Sequence, residues 1–217
     1  MTNIEVGARL KAITSLVTMS TVIDVGADHG KAAAELLVSN VANKAYFTDI
    51  SSKSLEKSQK LVNELGLNDR AEFVVCDGLK KFDNVEPCDV IIAGMGGEEI
   101  IKILSESKIN DKVNAFILQP QINVQKVRIY LVNSGYKIVK DFVVKDDKQF
   151  YFVIKAVRGE DKLTELELYF GRTNIKERPK DFLEYLDMQR KLFDDVVKNA
   201  KSVSSEKMRY YELLQKI

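Results

Sequence analysis

Four loops in this sequence carry residue types able to do chemistry. The first is Asp24-Val25-Gly26-Ala27-Asp28-His29-Gly30, the second Asp49-Ile50, the third Asp77-Gly78 and the fourth Gly94-Met95-Gly96-Gly97. Each follows a short apolar run such as Val22 to Val25, which suits a strand buried on both faces. In an open α/β sheet, ligands bind beyond the carboxyl ends of the strands. Taken singly, the glycines serve tight turns and the acids cap helices. Their joint placement after consecutive strands describes one pocket.

The first loop admits two ligands. A dinucleotide turn of the form Gly-x-Gly-x-x-Gly brings a pyrophosphate onto a helix N-terminus. Gly26 provides the tight turn and the close backbone approach, but Asp28 stands where the second glycine would be. A carboxylate there repels a pyrophosphate and attracts the amino group and sulfonium of S-adenosylmethionine. Asp49, 23 residues after Gly26, suits ribose hydroxyls with either cofactor, and Ile50 follows it. Asp77 and Gly78 suit an adenine edge. Gly94, Met95 and Gly96 let backbone line the floor beneath a reactive centre. His29, the single histidine, reads as an acid–base group or as a helix cap. Arg9 and Arg128 read as phosphate or carboxylate contacts or as ordinary ion pairs, and Tyr151 as a base-stacking ring or an edge-strand packing residue. Cys76 reads as buried.

The elements that must position these residues follow from periodicity. Residues 4 to 17 form an amphipathic helix. Strands are expected at Val22–Val25, Lys44–Thr48, Ala71–Val75, Asp89–Ala93 and Ala115–Leu118. Between them lie helices over Ala32–Leu37, from Ser51 or Ser52 to Leu65, from Gly97 to Leu104, and over Val124–Asn133. This alternation implies a parallel doubly wound sheet. Tyr136–Val144 and Phe150–Val157, joined by the short polar loop 145–148, break it and read as an antiparallel edge hairpin. Five parallel strands plus that hairpin fit a Rossmann-like class I methyltransferase sheet better than a dehydrogenase. Residues 1–158 make that domain. In residues 159–217, Thr164-Glu165-Leu166-Glu167 forms a capping box. The apolar positions Phe182, Tyr185, Leu192, Val196 and Val203, with a polar break at Gln189 and flanked by Leu186, Phe193, Val197 and Ala200, then recur near a period of 3.5 to 3.6 residues. After a break at Ser202–Ser205, Met208–Ile217 completes a coiled-coil-like helical hairpin outside the sheet, for packing, dimerisation or gripping a substrate.

Composition excludes more than it assigns. Apolar residues are 45% of the chain, enough for a core, and a net charge of +1 over 217 residues predicts no partner. The tail holds 12 basic and 12 acidic side chains and is no basic arm. Two cysteines and one histidine make a protein-built transition-metal site unexpected. Met1-Thr2-Asn3-Ile4-Glu5 does not open like a signal peptide, and no apolar run spans a membrane, so the expected compartment is cytoplasmic.

The chain resembles the bacterial tRNA (adenine-22-N1)-methyltransferases over nearly its whole length. The residues that carry the resemblance are Ala8-Arg9-Leu10, Asp24 to His29, Asp77-Gly78-Leu79, Gly94-Met95-Gly96-Gly97, Ile117-Leu118-Gln119-Pro120, Arg128 with Leu131, Asp146-Asp147 to Tyr151, and Glu167 to Gly171. The resemblance implies S-adenosylmethionine as cofactor, tRNA as partner, and a C-terminal helical hairpin that contacts it. Departures are Gly30-Lys31-Ala32-Ala33, where the family has a large apolar residue and a proline, Gln121 in place of asparagine, and Tyr130 in place of tryptophan. Adenine N1 lies on the Watson–Crick edge, so the base must be unpaired or flipped. An acceptor near N6 would orient it; Asp28 is the first candidate and Gln119 the second, with cofactor binding the competing role of Asp28. Gln121, Arg9, Arg128 and Tyr151 are the candidate substrate contacts. The alternatives are an S-adenosylmethionine-dependent enzyme of another substrate, or a non-catalytic RNA-binding or dimerising module.

Overall fold

Apolar residues on β5 (Val113–Pro120) alternate between the two faces of a sheet, and both faces are covered. Phe116 and Leu118 join a cluster with Ile100, Leu104, Val127 and Leu131 on one side. Ala115 and Ile117 join Leu36, Leu37, Leu55 and Val62 on the other. A strand buried on both faces needs helices above and below it, which is the layer arrangement the alternating elements imposed. The computed structural model describes residues 4–199 and 204–217, and the side chains of residues 195–199 lie outside that description.

In chain order the elements are α1 (Ala8–Thr14), β1 (Thr21–Val25), α2 (Lys31–Val38), β2 (Lys44–Asp49), α3 (Ser52–Glu64), β3 (Ala71–Val75), β4 (Cys88–Met95), α4 (Gly97–Glu106), β5, α5 (Val124–Asn133), β6 (Tyr136–Asp146) and β7 (Gln149–Arg158). Then come α6 (Glu165–Phe170), α7 (Arg172–Glu177), α8 (Lys180–Asn199) and α9 (Ser205–Leu214). The seven strands run in the order β3-β2-β1-β4-β5-β7-β6. The first five are parallel, and β7 is antiparallel to both β5 and β6. The edge hairpin is therefore present, with its second strand inserted next to β5.

Three local features differ from the sequence reading. The leading helix is confined to Ala8–Thr14. Strand β4 continues to Met95, so Gly94 and Met95 belong to it, across a register shift between Ala93 and Met95. The tail contains a further short helix, α7, between α6 and the long pair. The Thr164 capping box opens α6 as read, with the Glu167 side chain returning to the Thr164 backbone. Of the tail's apolar stripe, Phe182 and Leu186 are fully buried, whereas Leu192 is 54% exposed. The side chains of Val196 and Val197 lie outside the description, as do Ala200, Val203 and the break at Ser202.

The tail packs on the hairpin through one cluster: Val143 and Phe152 with Phe170, Phe182, Leu186, Leu213 and Leu214. A buried ion pair ties it further. Arg128 on α5 is fully buried, and its Nε and Nη2 donate to Asp141 Oδ2 and Oδ1 at 2.7 and 2.9 Å. Its Nη1 donates to the carbonyls of Leu168 and Tyr169 at 2.9 and 3.0 Å. The guanidinium lies 4.9 Å from the centre of the Phe152 ring. This corrects the expectation that Arg128 contacts substrate: its donors are spent on joining α5, β6 and α6, and none reaches solvent.

Breaking such a pair leaves one charge buried without a partner, which costs about 3–5 kcal/mol. Arg128→Met should therefore lower the urea midpoint strongly. Adding Asp141→Leu should recover much of the loss, because no charge is then stranded. Additive losses in the double variant would show that the pair is not coupled.

Candidate functional site

Strand order reverses between β1 and β4, since the chain runs outward to β2 and β3 and then returns to the other side. Loops leaving two neighbouring strands in opposite directions open a crevice at their carboxyl ends. A cleft of about 560 Å³ lies there, lined among others by Arg9, Asp24, Gly26, Asp28, Gly94 and Gln121. His29 and Gly30 also line it. Eight of the residues singled out from sequence thus meet in one place.

Asp24 is the buried charge of the cleft. It sits on β1, an interior strand, 6% exposed, and burial pushes its carboxyl up to about 7 despite a backbone hydrogen bond at Ala33. A ligand cation would restore the ionised form. The turn beyond it is held by the N–H groups of Gly26 and Ala27, which donate to the Thr48 carbonyl at 2.8 and 3.1 Å. Gly26 has φ +75°, and a Cβ there would collide with the Met95 methyl group. Gly30 caps α2 with φ +58° and no side-chain cap, so the helix presents its first N–H groups toward the cleft. A Cβ on Gly30 would meet the Phe47 ring at 2.8 Å and Ser58 Cβ at 2.9 Å. The wall is backbone because side chains do not fit.

Asp28 is half-exposed and already paired: Lys57 Nζ donates to its Oδ1 at 2.7 Å, and His29 Nε2 lies 3.4 Å from its Oδ2. Lys57 holds the Asp28 carboxyl below its usual range. His29 is mostly exposed, at 66% of its side chain. Asp49 ends β2, and its Oδ1 accepts from Ser51 N at 2.8 Å; Ile50 is exposed. Asp77 pairs with Lys80, which holds its carboxyl low, and Gly78 turns at φ +62°. These four residues follow β2 and β3 and lie beside the cleft without lining it. Met95 packs behind Gly26, and Gly96 is the N-cap of α4.

Gln119 is fully buried and does not face the cleft. Its Oε1 accepts from Arg9 Nη1 at 2.8 Å and its Nε2 donates to the Pro120 carbonyl at 3.1 Å, so both ends of the amide are occupied. This corrects its reading as a base acceptor: it holds Arg9. The Arg9 guanidinium also lies 5.2 Å from the Tyr151 ring centre, and the Tyr151 hydroxyl donates to Gln149. Arg9 and Gln121 thus face the mouth, with Gln119 and Tyr151 as supports for Arg9.

Two pairings escaped sequence reading. Lys57 lies 29 residues beyond Asp28, and nothing in the spacing announces that pair. Asp146, at the end of β6, caps α1 from 137 residues away, accepting from Ala8 N at 3.1 Å and Arg9 N at 3.2 Å. Gly7 permits this, since a Cβ there would stand 2.9 Å from Asp146 Oδ1. Asp146 fixes where Arg9 enters the cleft.

Residues 6–154 match the family model described as a methyltransferase domain. A Mycoplasma genitalium protein provisionally named a tRNA methyltransferase is 31% identical over 183 residues, 81% of each chain. The tRNA (adenine(22)-N(1))-methyltransferase of Bacillus subtilis is 27% identical over 164 residues, 74% of this chain and 68% of that one. The crystal structure of a Streptococcus pneumoniae protein, provisionally named a tRNA (m1A22) methyltransferase, has a TM-score of 0.88 at 24% identity, covering 98% of this chain and 99% of that one. In complex with S-adenosyl-L-methionine that protein gives 0.84 at 25% identity, over 96% and 97% of the two chains.

The cap at Asp146 generates a prediction. Asp146→Ala should cost about 1 kcal/mol, as loss of an N-cap does. Amide hydrogen exchange should speed up in residues 8–14 while β1 and β4 keep their protection. Unchanged exchange in α1 would remove Asp146 from this role.

Proposed function

Because the chain belongs to the methyltransferase-domain family, we propose that it transfers a methyl group from S-adenosylmethionine to N1 of an adenosine, position 22, in tRNA. One observation carries the reaction type: the cleft is walled by glycine backbone around a buried carboxylate, Asp24. That donor set suits an amino acid carrying an ammonium and a sulfonium, and it opposes a pyrophosphate. The volume, about 560 Å³, is that of a cofactor site. The base and its position follow from kinship with the Bacillus subtilis enzyme. No described helix is long and apolar enough to cross a membrane, and a tRNA substrate puts the enzyme in the cytoplasm.

When bound, S-adenosylmethionine supplies an electrophilic methyl group. Residues 1–158 hold it. Asp24 would face its cationic end, Gly26, Gly30 and Gly94 would give the close approach, and Asp49 with Ile50, at the end of β2, would take the ribose. Asp77 and Gly78, after β3, would take the adenine edge, and Met95 with Gly96 would form the floor. The acceptor N1 has an in-plane lone pair and needs no activated side chain, so the protein's work is to position the base and exclude water. Asp28 stays ionised beside Lys57, which fits an acceptor that orients N6 and does not store a proton. His29 flanks it. Arg9 and Gln121 guide the base at the mouth, and Tyr151 supports Arg9. The helices of residues 159–217 contact the tRNA.

Two measurements test this. Unmodified bacterial tRNA incubated with the protein and labelled S-adenosylmethionine should yield 1-methyladenosine at position 22; label at another base or position would refute the substrate. The second concerns Asp24. With its carboxyl at about 7 in the free protein, a bound cation releases that proton below pH 7. Affinity for the cofactor should rise with pH to about 7 and then level. Calorimetry at pH 6 in buffers of different ionisation enthalpy should report release of about one proton, absent at pH 8 and absent in Asp24→Asn. The same raised value makes the free protein lose stability as pH climbs from about 4 to 7, because the folded state holds the proton and the unfolded chain does not.

A further inference from the structure

A second recess lies beside the first. It measures about 420 Å³ and sits between the N-terminus of α5, strand β7 and helices α6, α8 and α9. Five aromatic rings line it: Phe152, Tyr169, Tyr185, Phe193 and Tyr210. Two of these are fixed as walls, since the hydroxyls of Tyr185 and Tyr210 lie 2.9 Å apart and Tyr210 also reaches Gln189 Oε1 at 3.4 Å. Phe193 stacks tilted against Tyr210, with ring centres 4.9 Å apart, and is itself half-buried. Besides Val124, the remaining lining is polar: the amides of Asn123, Gln125 and Gln189, with Lys207 and Glu206. Flat aromatic faces with amide donors and acceptors around them, and one charge of each sign, match one chemical class, an unpaired nucleobase.

The recess and the cleft lie on either side of one loop. Gln121 lines the cleft and Asn123 lines the recess, so less than about 8 Å of backbone separates the two walls. Ile122 lies between them and is 61% exposed. Its backbone is pinned on both sides: Gln121 N donates to the Met95 carbonyl at 2.8 Å, and Gly97 N donates to the Ile122 carbonyl at 3.1 Å. An apolar side chain held out on a rigid loop is the form of wedge that separates neighbouring bases. Methylation at N1 requires the target base to leave its stack, and the neighbour then loses a stacking partner.

We propose that this aromatic recess seats the base of a nucleotide immediately adjacent to the methylated adenosine, with Ile122 as the wedge between the two. The proposal rests on the tRNA-methylation reading and deepens it: recognition then covers two nucleotides, one in the cleft and one across the Gln121-Ile122-Asn123 loop.

The test pairs a protein variant with a substrate variant. Phe193→Leu keeps an apolar side chain and removes the ring face; Phe193→Ala removes both. Transcripts of unmodified tRNA carrying one abasic residue, either 5′ or 3′ of the target adenosine, remove the neighbouring base. With wild-type protein, one of the two abasic transcripts should raise KM about tenfold, the size of one base–aromatic stack, with kcat little changed. Phe193→Leu should raise KM by a similar factor on intact tRNA and cause no further loss on that abasic transcript. Affinity for S-adenosylmethionine and the melting temperature of Phe193→Leu should stay at wild-type values. Losses that multiply, or abasic transcripts that react like intact tRNA, would overturn the recess as a base site while leaving the methylation reading standing. No transfer by wild-type protein to intact tRNA would overturn both.

Discussion

Arg128 is the side chain on which the arrangement of the two recesses depends. It is fully buried with its carboxylate partner, in a place where an unpaired charge is strongly unfavourable. All its hydrogen bonds go to elements far apart in sequence: Asp141 on β6, and the last carbonyls of α6. Those carbonyls are the ones a helix leaves unsatisfied at its C-terminus. One guanidinium therefore completes a helix end, neutralises a strand carboxylate and covers the Phe152 ring. The result fixes α5 against both the hairpin and the tail. The loop leading into α5 is the wall shared by the cleft and the aromatic recess, so its position depends on this pair. Gly171 adds to the constraint: a Cβ there would stand 2.7 Å from Asp141 Oδ1.

The cleft depends on a different compromise. Asp24 lies on the most enclosed strand of the sheet, where every residue is buried. An aliphatic residue would suit that strand better, and the raised carboxyl pKa records the penalty. Groups perturbed in this way gather where charge is needed for binding. Asp28, one turn away, shows the opposite electrostatics, held ionised by Lys57 at the surface. Two carboxylates four residues apart are thus distinguished by surroundings alone: one is buried without a cation, and the other already has one.

How much of this was legible follows from how local each determinant is. The first three strand-and-glycine turns, the capping box at Thr164 and the edge hairpin are written in residues within a few positions of one another, and the structure places them as read, whereas the fourth begins inside β4. The cleft was legible because α/β topology brings strand ends together whatever the details. The partners of Arg9, Asp28 and Arg128 were not, since each lies at least 13 residues away and is chosen by packing. Residues 128 and 119 were read as site residues, but the structure gives both a tertiary task. Arg128 closes the fold and Gln119 holds Arg9. The tail's stripe failed at Leu192 because α8 buries one face, Phe182, Tyr185, Leu186, Gln189 and Phe193, against the hairpin and α9, and Leu192 lies at the edge of that face.

Gly97 shows why the loop between the recesses is stiff. Its N–H donates to the Ile122 carbonyl, and a Cβ in its place would stand 2.8 Å from the carbonyls of Ile122 and Asn123. Only glycine lets the start of α4 approach the β5–α5 loop so closely. Asn123 then turns the chain at φ +57° into α5, a conformation asparagine tolerates better than most residues. A loop held by backbone contacts on one side and a left-handed turn on the other has little freedom to follow its ligand. The Ile122 side chain must meet the nucleic acid where the protein presents it, and the ordering entropy is already settled in the fold. Discrimination between a base that can leave its stack and one that cannot then rests on the deformability of the RNA rather than on movement of the protein.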